Sequence, residues 1–153
     1  MEGVAVFNLY ELSQEIAFNI DEWSKIISDA SAVIYQFPFY WMSAPSLLKK
    51  WQDEVFTFLS KTPAVAGKPL TVVTTTGSEY EAYRSGGRNR FTTDELLRPY
   101  QVNAIHSGMS WQTPIVVYGM GTADAGKNIA EGANLYKQRV EMLIGNSNAG
   151  NNW

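Results

Sequence analysis

The residues best suited to hold a ligand fall in a few short clusters. Phe37-Pro38-Phe39-Tyr40-Trp41-Met42 sets four aromatic rings into what reads as a strand-to-helix loop. Loops run over the surface, where so much apolar area is costly to leave wet. The cluster is therefore a platform for a flat ligand, or else a plug against the core or a second subunit. Thr74-Thr75-Thr76-Gly77-Ser78 combines hydroxyls with a glycine free to adopt positive φ. Backbone amides and side-chain oxygens there could approach a ligand, although a plain turn has the same composition. Arg84, Arg88 and Arg90 follow within Tyr83-Arg84-Ser85-Gly86-Gly87-Arg88-Asn89-Arg90, with no acid among them. That spacing suits an anionic phosphate; a solvated flexible loop is the more ordinary outcome.

Two further features carry less. Gly121-Thr122-Ala123-Asp124-Ala125-Gly126-Lys127-Asn128 approaches the phosphate-binding pattern G-x-x-x-x-G-K-[ST] between a strand and a helix. Asn128 stands where a hydroxyl should hold Mg²⁺, and Asp124 would put a like charge beside the phosphates. No later strand could supply a metal-holding Asp, so nucleoside triphosphate binding is disfavoured. His106 has no Ser or Asp in a recognisable nucleophile turn, and it reads as a helix-end histidine near Gly108.

Strands and helices must position these clusters, and the hydrophobic pattern supplies both periods. Val4 to Tyr10 is β-rich and reads as a first strand. Asp21 can cap a short helix with Trp23, Ile26 and Ile27 on one face. Ser31 to Gln36 is an apolar run of strand length; Ser43 then offers an N-cap with Pro45 in the first turn. Leu47, Leu48, Trp51, Val55 and Leu59 line the helix that follows. Leu70 to Thr75 is a third strand, and residues 77–92 read as loop. Thr93 starts a helix disturbed at Pro99 and stopped near Gly108, and Pro114 to Tyr118 is a fourth strand. Ile129, Ala133, Tyr136, Val140 and Leu143 mark a last helix ended by Gly145. Residues 1–145 thus form one domain, and the polar tail 146–153 is expected to be disordered. Alternating strands and helices predict an α/β fold with a parallel sheet covered on both faces. In such sheets ligands sit beyond the carboxyl ends of the strands, which singles out residues 36–42 and 74–78.

Composition narrows the chemistry. A chain of 153 residues is one domain's worth, and 45% hydrophobic with 18% charged residues is a globular balance. A net charge of −3 gives no electrostatic case for nucleic acid. The absence of cysteine excludes disulfides, thiolate metal sites and cysteine nucleophiles, and the single histidine excludes multi-histidine metal sites, so no metal is expected. Nothing at the N-terminus resembles a secretion signal, so a cytoplasmic address is the default expectation. Ala30 to Leu48 is uncharged, but Gln36, Pro38, Ser43, Pro45 and Ser46 make it a strand, loop and helix start rather than a membrane span.

The run from Gln36 to Phe56, QFPFYWMSAPSLLKKWQDEVF, resembles the signature of small flavodoxin-like NAD(P)H:quinone oxidoreductases. That family includes drug-activity modulators and ancillary flavoproteins of potassium-efflux systems. Gly67-Lys68-Pro69-Leu70, Thr75-Thr76-Gly77, Leu96-Leu97-Arg98-Pro99, Gly108-Met109-Ser110-Trp111 and Tyr136-Lys137-Gln138-Arg139 match in order, so the likeness covers most of residues 3–143. The resemblance implies a flavodoxin-like three-layer sandwich, FMN as cofactor, NAD(P)H as co-substrate, a quinone-like acceptor and a homodimer. It also implies that Phe39, Tyr40, Trp41 and Met42 flank the flavin ring, and that Thr75, Thr76, Gly77 and Ser78 form the second flavin-contacting loop. No acid–base residue carries over. The competing implication is a flavodoxin-like regulatory or binding subunit with little or no turnover.

The sequence departs from the family pattern in two places. Thr57-Phe58-Leu59-Ser60-Lys61-Thr62-Pro63 replaces the family's glycine- and aromatic-containing segment. The family's opening strand and phosphate-cradling turn have no counterpart ahead of Val4, so the first strand of the sheet is expected to be missing. FMN's phosphate needs oriented amides, and these residues are therefore expected to bind FMN weakly or not at all.

Overall fold

The computed structural model of the chain describes residues 3–12 and 17–148. Its centre is β2 (Pro69–Thr75), whose Leu70, Thr71, Val72, Val73 and Thr74 are all buried. On one side β2 pairs in parallel with β1 (Val33–Pro38), in register from Val33 opposite Leu70 to Pro38 opposite Thr75. On the other side it pairs in parallel with β3 (Ser110–Trp111) and then with β4 (Ile115–Val117). These behave as one strand interrupted around Pro114, since Gln112 still donates its amide to the Leu70 carbonyl. Such pairing satisfies the backbone of β2 on both edges, as a buried strand requires.

Period-2 alternation sends Tyr35, Phe37, Leu70 and Val72 to one face of the sheet. There they meet Trp23 and Ile27 of α2 (Ile20–Asp29), Leu48 and Trp51 of α3 (Ser46–Trp51), and Tyr100 and Ala104 of α6 (Arg98–His106). The Trp51 ring meets Trp23 edge-on at 5.2 Å and Tyr35 at 5.9 Å. Burying side chains of this size contributes on the order of 1.5–3 kcal/mol each. Past α3 the helix widens into a π-helical turn (Gln52–Phe56) before its last turn, α4 (Thr57–Leu59). The opposite face is covered by α7 (Ala125–Asn148), whose Gly132 lets the helix press onto Val117; a Cβ there would lie 2.3 Å from a Val117 methyl.

Several sequence expectations change. Val4 to Asn8 is not a strand: it runs as exposed coil into α1 (Leu9–Leu12). β-propensity alone does not hold a strand with no ladder to join. The sheet is covered on both faces at β2 but not at β1, where Gln36 and Pro38 are exposed and the outer edge meets no strand among the described residues. The cap of α2 is Asn19, whose side chain accepts from the Asp21 and Glu22 amides, rather than Asp21. Thr92, not Thr93, caps α5 (Thr93–Leu96), through a reciprocal bond with Glu95. Pro99 then opens α6, and Gly108 takes the positive φ that ends it. Ser43 caps nothing; it closes a turn described below. Gly145 does not stop α7, which continues to Asn148 through the first three residues of the tail 146–153 expected to be disordered; the rest of that tail lies outside the described residues.

Candidate functional site

The parallel sheet brings the clusters to its carboxyl ends. The Phe39 amide donates to the Thr75 carbonyl at 2.9 Å, carrying the β1–β2 ladder one step past the end of β1. From there the chain makes a two-residue turn, closed by Tyr40 and Ser43 exchanging backbone hydrogen bonds at 2.8 and 2.9 Å. Its two central residues, Trp41 and Met42, have φ of 48° and 63°. Hairpin turns of this hand normally use Asn-Gly or Asp-Gly, because the left-handed region costs other residues about 1–2 kcal/mol. The strain holds up a Trp41 side chain that is 99% exposed, with Tyr40 60% exposed beside it. Behind the turn, the Tyr100 hydroxyl receives the Ala44 amide at 3.2 Å, tying the loop to α6. Strain that leaves an indole in water gains nothing for the fold, and an observed outlier of this kind points to function.

At the end of β2, the Thr76 hydroxyl donates to the Ser78 carbonyl at 2.8 Å, curling the loop. The β4 loop packs on its outer side: the amides of Gly119, Met120 and Gly121 donate to the carbonyls of Ser78, Thr76 and Gly77. The Gly77 and Ser78 amides donate to nothing among the described residues, and a Cβ on Gly77 would meet open space. Thr75 and Ser78 are half-buried, Gly77 is exposed and Thr76 is buried. An arginine sits at the same edge, with Arg88 Nη2 donating to Ser78 Oγ at 2.6 Å. The turn that aims it depends on Gly87, where a Cβ would lie 2.2 Å from the Glu81 carbonyl oxygen.

The structure thus brings together the aromatic loop, the Thr75–Ser78 loop and one arginine of the basic loop. Phe39 joins them by packing edge-on against Tyr83 at 6.2 Å. Arg84 lies instead over the Tyr80 ring, 5.5 Å from its centroid, and Arg90 is exposed with positive φ. His106 belongs to the other end of the sheet, next to Gly108, whose carbonyl accepts the Gly67 amide just ahead of β2. Gly121 to Asn128 is no phosphate loop here, because the Gly121 amide is bonded to Gly77 and Asn128 donates its side-chain amide to the Tyr118 carbonyl. Among the described residues no cluster of His, Asp and Glu could hold a metal, and no helix is long and apolar enough to cross a membrane.

The sequence reading overlooked Tyr83 and Tyr118, whose rings meet at 5.9 Å behind the site. Burial raises the Tyr118 hydroxyl pKa, and the hydroxyl is bonded to Thr93 Oγ1 at 2.6 Å. Tyr118 sits at the carboxyl end of β4, and the rule that marked the ends of the other strands would have marked it too.

A flavin ring is the kind of group these residues fit. A strained, outward-held aromatic turn suits the face of a flat ring, and two unpaired amides with a guanidinium suit electron-rich ring oxygens and nitrogens. Among the described residues the loops offer no comparable nest of free amides for the flavin's phosphate; Arg88 is the cation fixed at their edge.

A family model for the flavodoxin-like fold matches residues 2–140. General stress protein 14 of Bacillus subtilis (strain 168) is 35% identical over 145 residues, spanning 92% of this chain and 82% of that protein. The crystal structure of general stress protein 14 from Treponema denticola in complex with FMN superposes with a TM-score of 0.81 at 26% identity, covering 91% of this chain and 81% of that one. An NADPH-quinone reductase from P. pentosaceus gives a TM-score of 0.66 at 32% identity, covering 75% and 73%.

Proposed function

The chain belongs to the flavodoxin-like family, and on that premise we propose that it is an FMN-dependent oxidoreductase passing reducing equivalents from NAD(P)H to quinone-like acceptors. The observation that carries the reading is the strained Trp41–Met42 turn, on the loop that the Phe39–Thr75 hydrogen bond joins to the one bearing the unpaired Gly77 and Ser78 amides. The FMN-bound and quinone-reductase relatives support it. When bound, FMN supplies the hydride chemistry; the protein's part is to hold, orient and shield it.

Trp41 and Tyr40 would lie against a ring face and exclude water from it. The Gly77 and Ser78 amides would donate to the ring's polar edge. Arg88, held on Ser78, adds a positive charge there that favours an electron-rich ligand. Phe39 and Tyr83 back the site with apolar contact. No residue of these loops is assigned as a proton donor, which suits a reaction whose acceptor can take its protons from water. A fully exposed indole also fits a site completed by a second copy of the chain, so the reading includes a homodimer; a cytoplasmic setting belongs to the same proposal on the separate ground of the sequence expectation above.

The test is direct. Protein titrated with FMN should quench the flavin's fluorescence and, with FMN in excess, oxidise NADH or NADPH only when a quinone is added. Light scattering should give twice the chain mass. Protein that takes up no flavin and supports no quinone-dependent oxidation would overturn the reading.

A further inference from the structure

A concavity of about 680 Å³ opens beside the edge of β4 that pairs with no strand among the described residues, within the size range of small-molecule sites. One wall is the pair of Tyr80 and Tyr118 rings, edge-on at 5.3 Å; the other is Leu135 and Met142 of α7, both of them exposed. Two guanidiniums line it: Arg84, over the Tyr80 ring, and Arg139, whose Nη1 donates to the Thr113 carbonyl at 2.7 Å. Neither pairs with a carboxylate among the described residues. The cleft begins where the flavin-facing loops end. Tyr80 stands two residues past Ser78, and Tyr118 precedes Gly119, whose amide is bonded to the Ser78 carbonyl.

We infer that this cleft takes the adenosine-phosphate half of NAD(P)H, leaving the nicotinamide to reach the Trp41–Gly77 end; the inference rests on the function proposed above. Aromatic and aliphatic walls suit a purine, and guanidiniums not neutralised by a carboxylate suit its phosphates. Asp94, also in the lining, offers a carboxylate to ribose hydroxyls. A flat anion fits this combination, whereas a purely apolar or cationic ligand would cover both arginines without giving either an anionic partner.

The test uses the full chain with FMN added and reads binding apart from turnover. ADP and 2′,5′-ADP are titrated calorimetrically, and KM is measured for NAD(P)H and for reduced nicotinamide mononucleotide, which lacks the adenosine half. Two variants at exposed positions are compared, Arg84→Gln and Leu135→Glu, the second adding a negative charge at the mouth. Each should weaken ADP binding and raise KM for NAD(P)H by about tenfold, the size of one lost charge-assisted phosphate contact, with the loss in KM rather than kcat. KM for the mononucleotide should not move. ADP binding weakened by both variants in a protein that never turns over would support the cleft and remove only the oxidoreductase reading. Normal quinone-dependent turnover with no ADP binding overturns the assignment. So does ADP binding that both variants weaken while KM for NAD(P)H stays put, since the nucleotide would then be a separate ligand.

Discussion

Replacing Trp41 by glycine separates a residue kept for ligand binding from one kept for folding. The side chain is 99% exposed, so its removal sacrifices no buried area. Its φ of 48° costs a non-glycine residue about 1–2 kcal/mol, which glycine recovers. Glycine's larger unfolded-state freedom takes back about 0.5–1 kcal/mol. The variant should therefore be as stable as the parent or more stable by up to about 1.5 kcal/mol. At roughly 2–4 °C per kcal/mol for a domain of this size, the flavin-free melting temperature should stay level or rise by a few degrees. Flavin affinity should move the opposite way. Loss of a stacked ring costs about 0.5–1.5 kcal/mol beyond its area, so the FMN dissociation constant should rise about tenfold, equivalent to ~1.4 kcal/mol. Thermal melts of the flavin-free protein and titration of FMN fluorescence quenching measure the two effects. A melting temperature lowered by more than a few degrees, or an unchanged FMN affinity, would refute the argument that the turn stores strain for a ligand.

Other consequences follow from single positions. Gly87→Ala drives a Cβ into the Glu81 carbonyl, so it should release Arg88 from Ser78 and weaken FMN binding several-fold while α7 and the sheet keep their amide-exchange protection. Gly132→Ala places a methyl 2.3 Å from Val117 and should destabilise the domain by about 1–3 kcal/mol in urea unfolding, because α7 must move off β4. Riboflavin should bind within about tenfold of FMN, since the described loops offer the phosphate no nest of free amides; a much larger gap would reveal an amide cradle elsewhere. Hydrogen bonds from the Thr92 amide and then its hydroxyl lower the pKa of Glu95, so that contribution to stability is complete above the ordinary glutamate value of 4.5 and is lost as the pH falls through the lowered one. Glu95→Gln should flatten that part of the acid-unfolding curve.

The parts of the fold that follow from local pattern were legible in the sequence. The apolar runs at Ser31 to Gln36 and Leu70 to Thr75 became β1 and β2, and the stripe through Leu47, Leu48, Trp51, Val55 and Leu59 became the helix on their buried face. What escaped was set by partners distant in sequence. Val4 to Asn8 has strand composition but no ladder beside it, and β3 at Ser110–Trp111 exists only because Pro69 and Leu70 pair with it. The site divided the same way. Aromatic and glycine-containing loops at strand ends were visible as candidates. That Trp41 and Met42 take left-handed φ, that the Gly119–Gly121 amides are already bonded, and that Tyr83 bridges to Phe39 are properties of packing.

The central claim is that the turn at Tyr40–Ser43 and the loop at Thr75–Ser78 together hold a flavin ring, and amide hydrogen exchange with and without saturating FMN tests it most directly. The Gly77 and Ser78 amides, unpaired in this structure, should exchange fast in the free protein and slow at least tenfold with FMN, by analogy with any amide gaining a bonded acceptor. The Trp41 and Met42 amides should slow with them as the ring covers the turn. Unchanged exchange in both segments at saturating FMN, with protection appearing only elsewhere, would contradict the account.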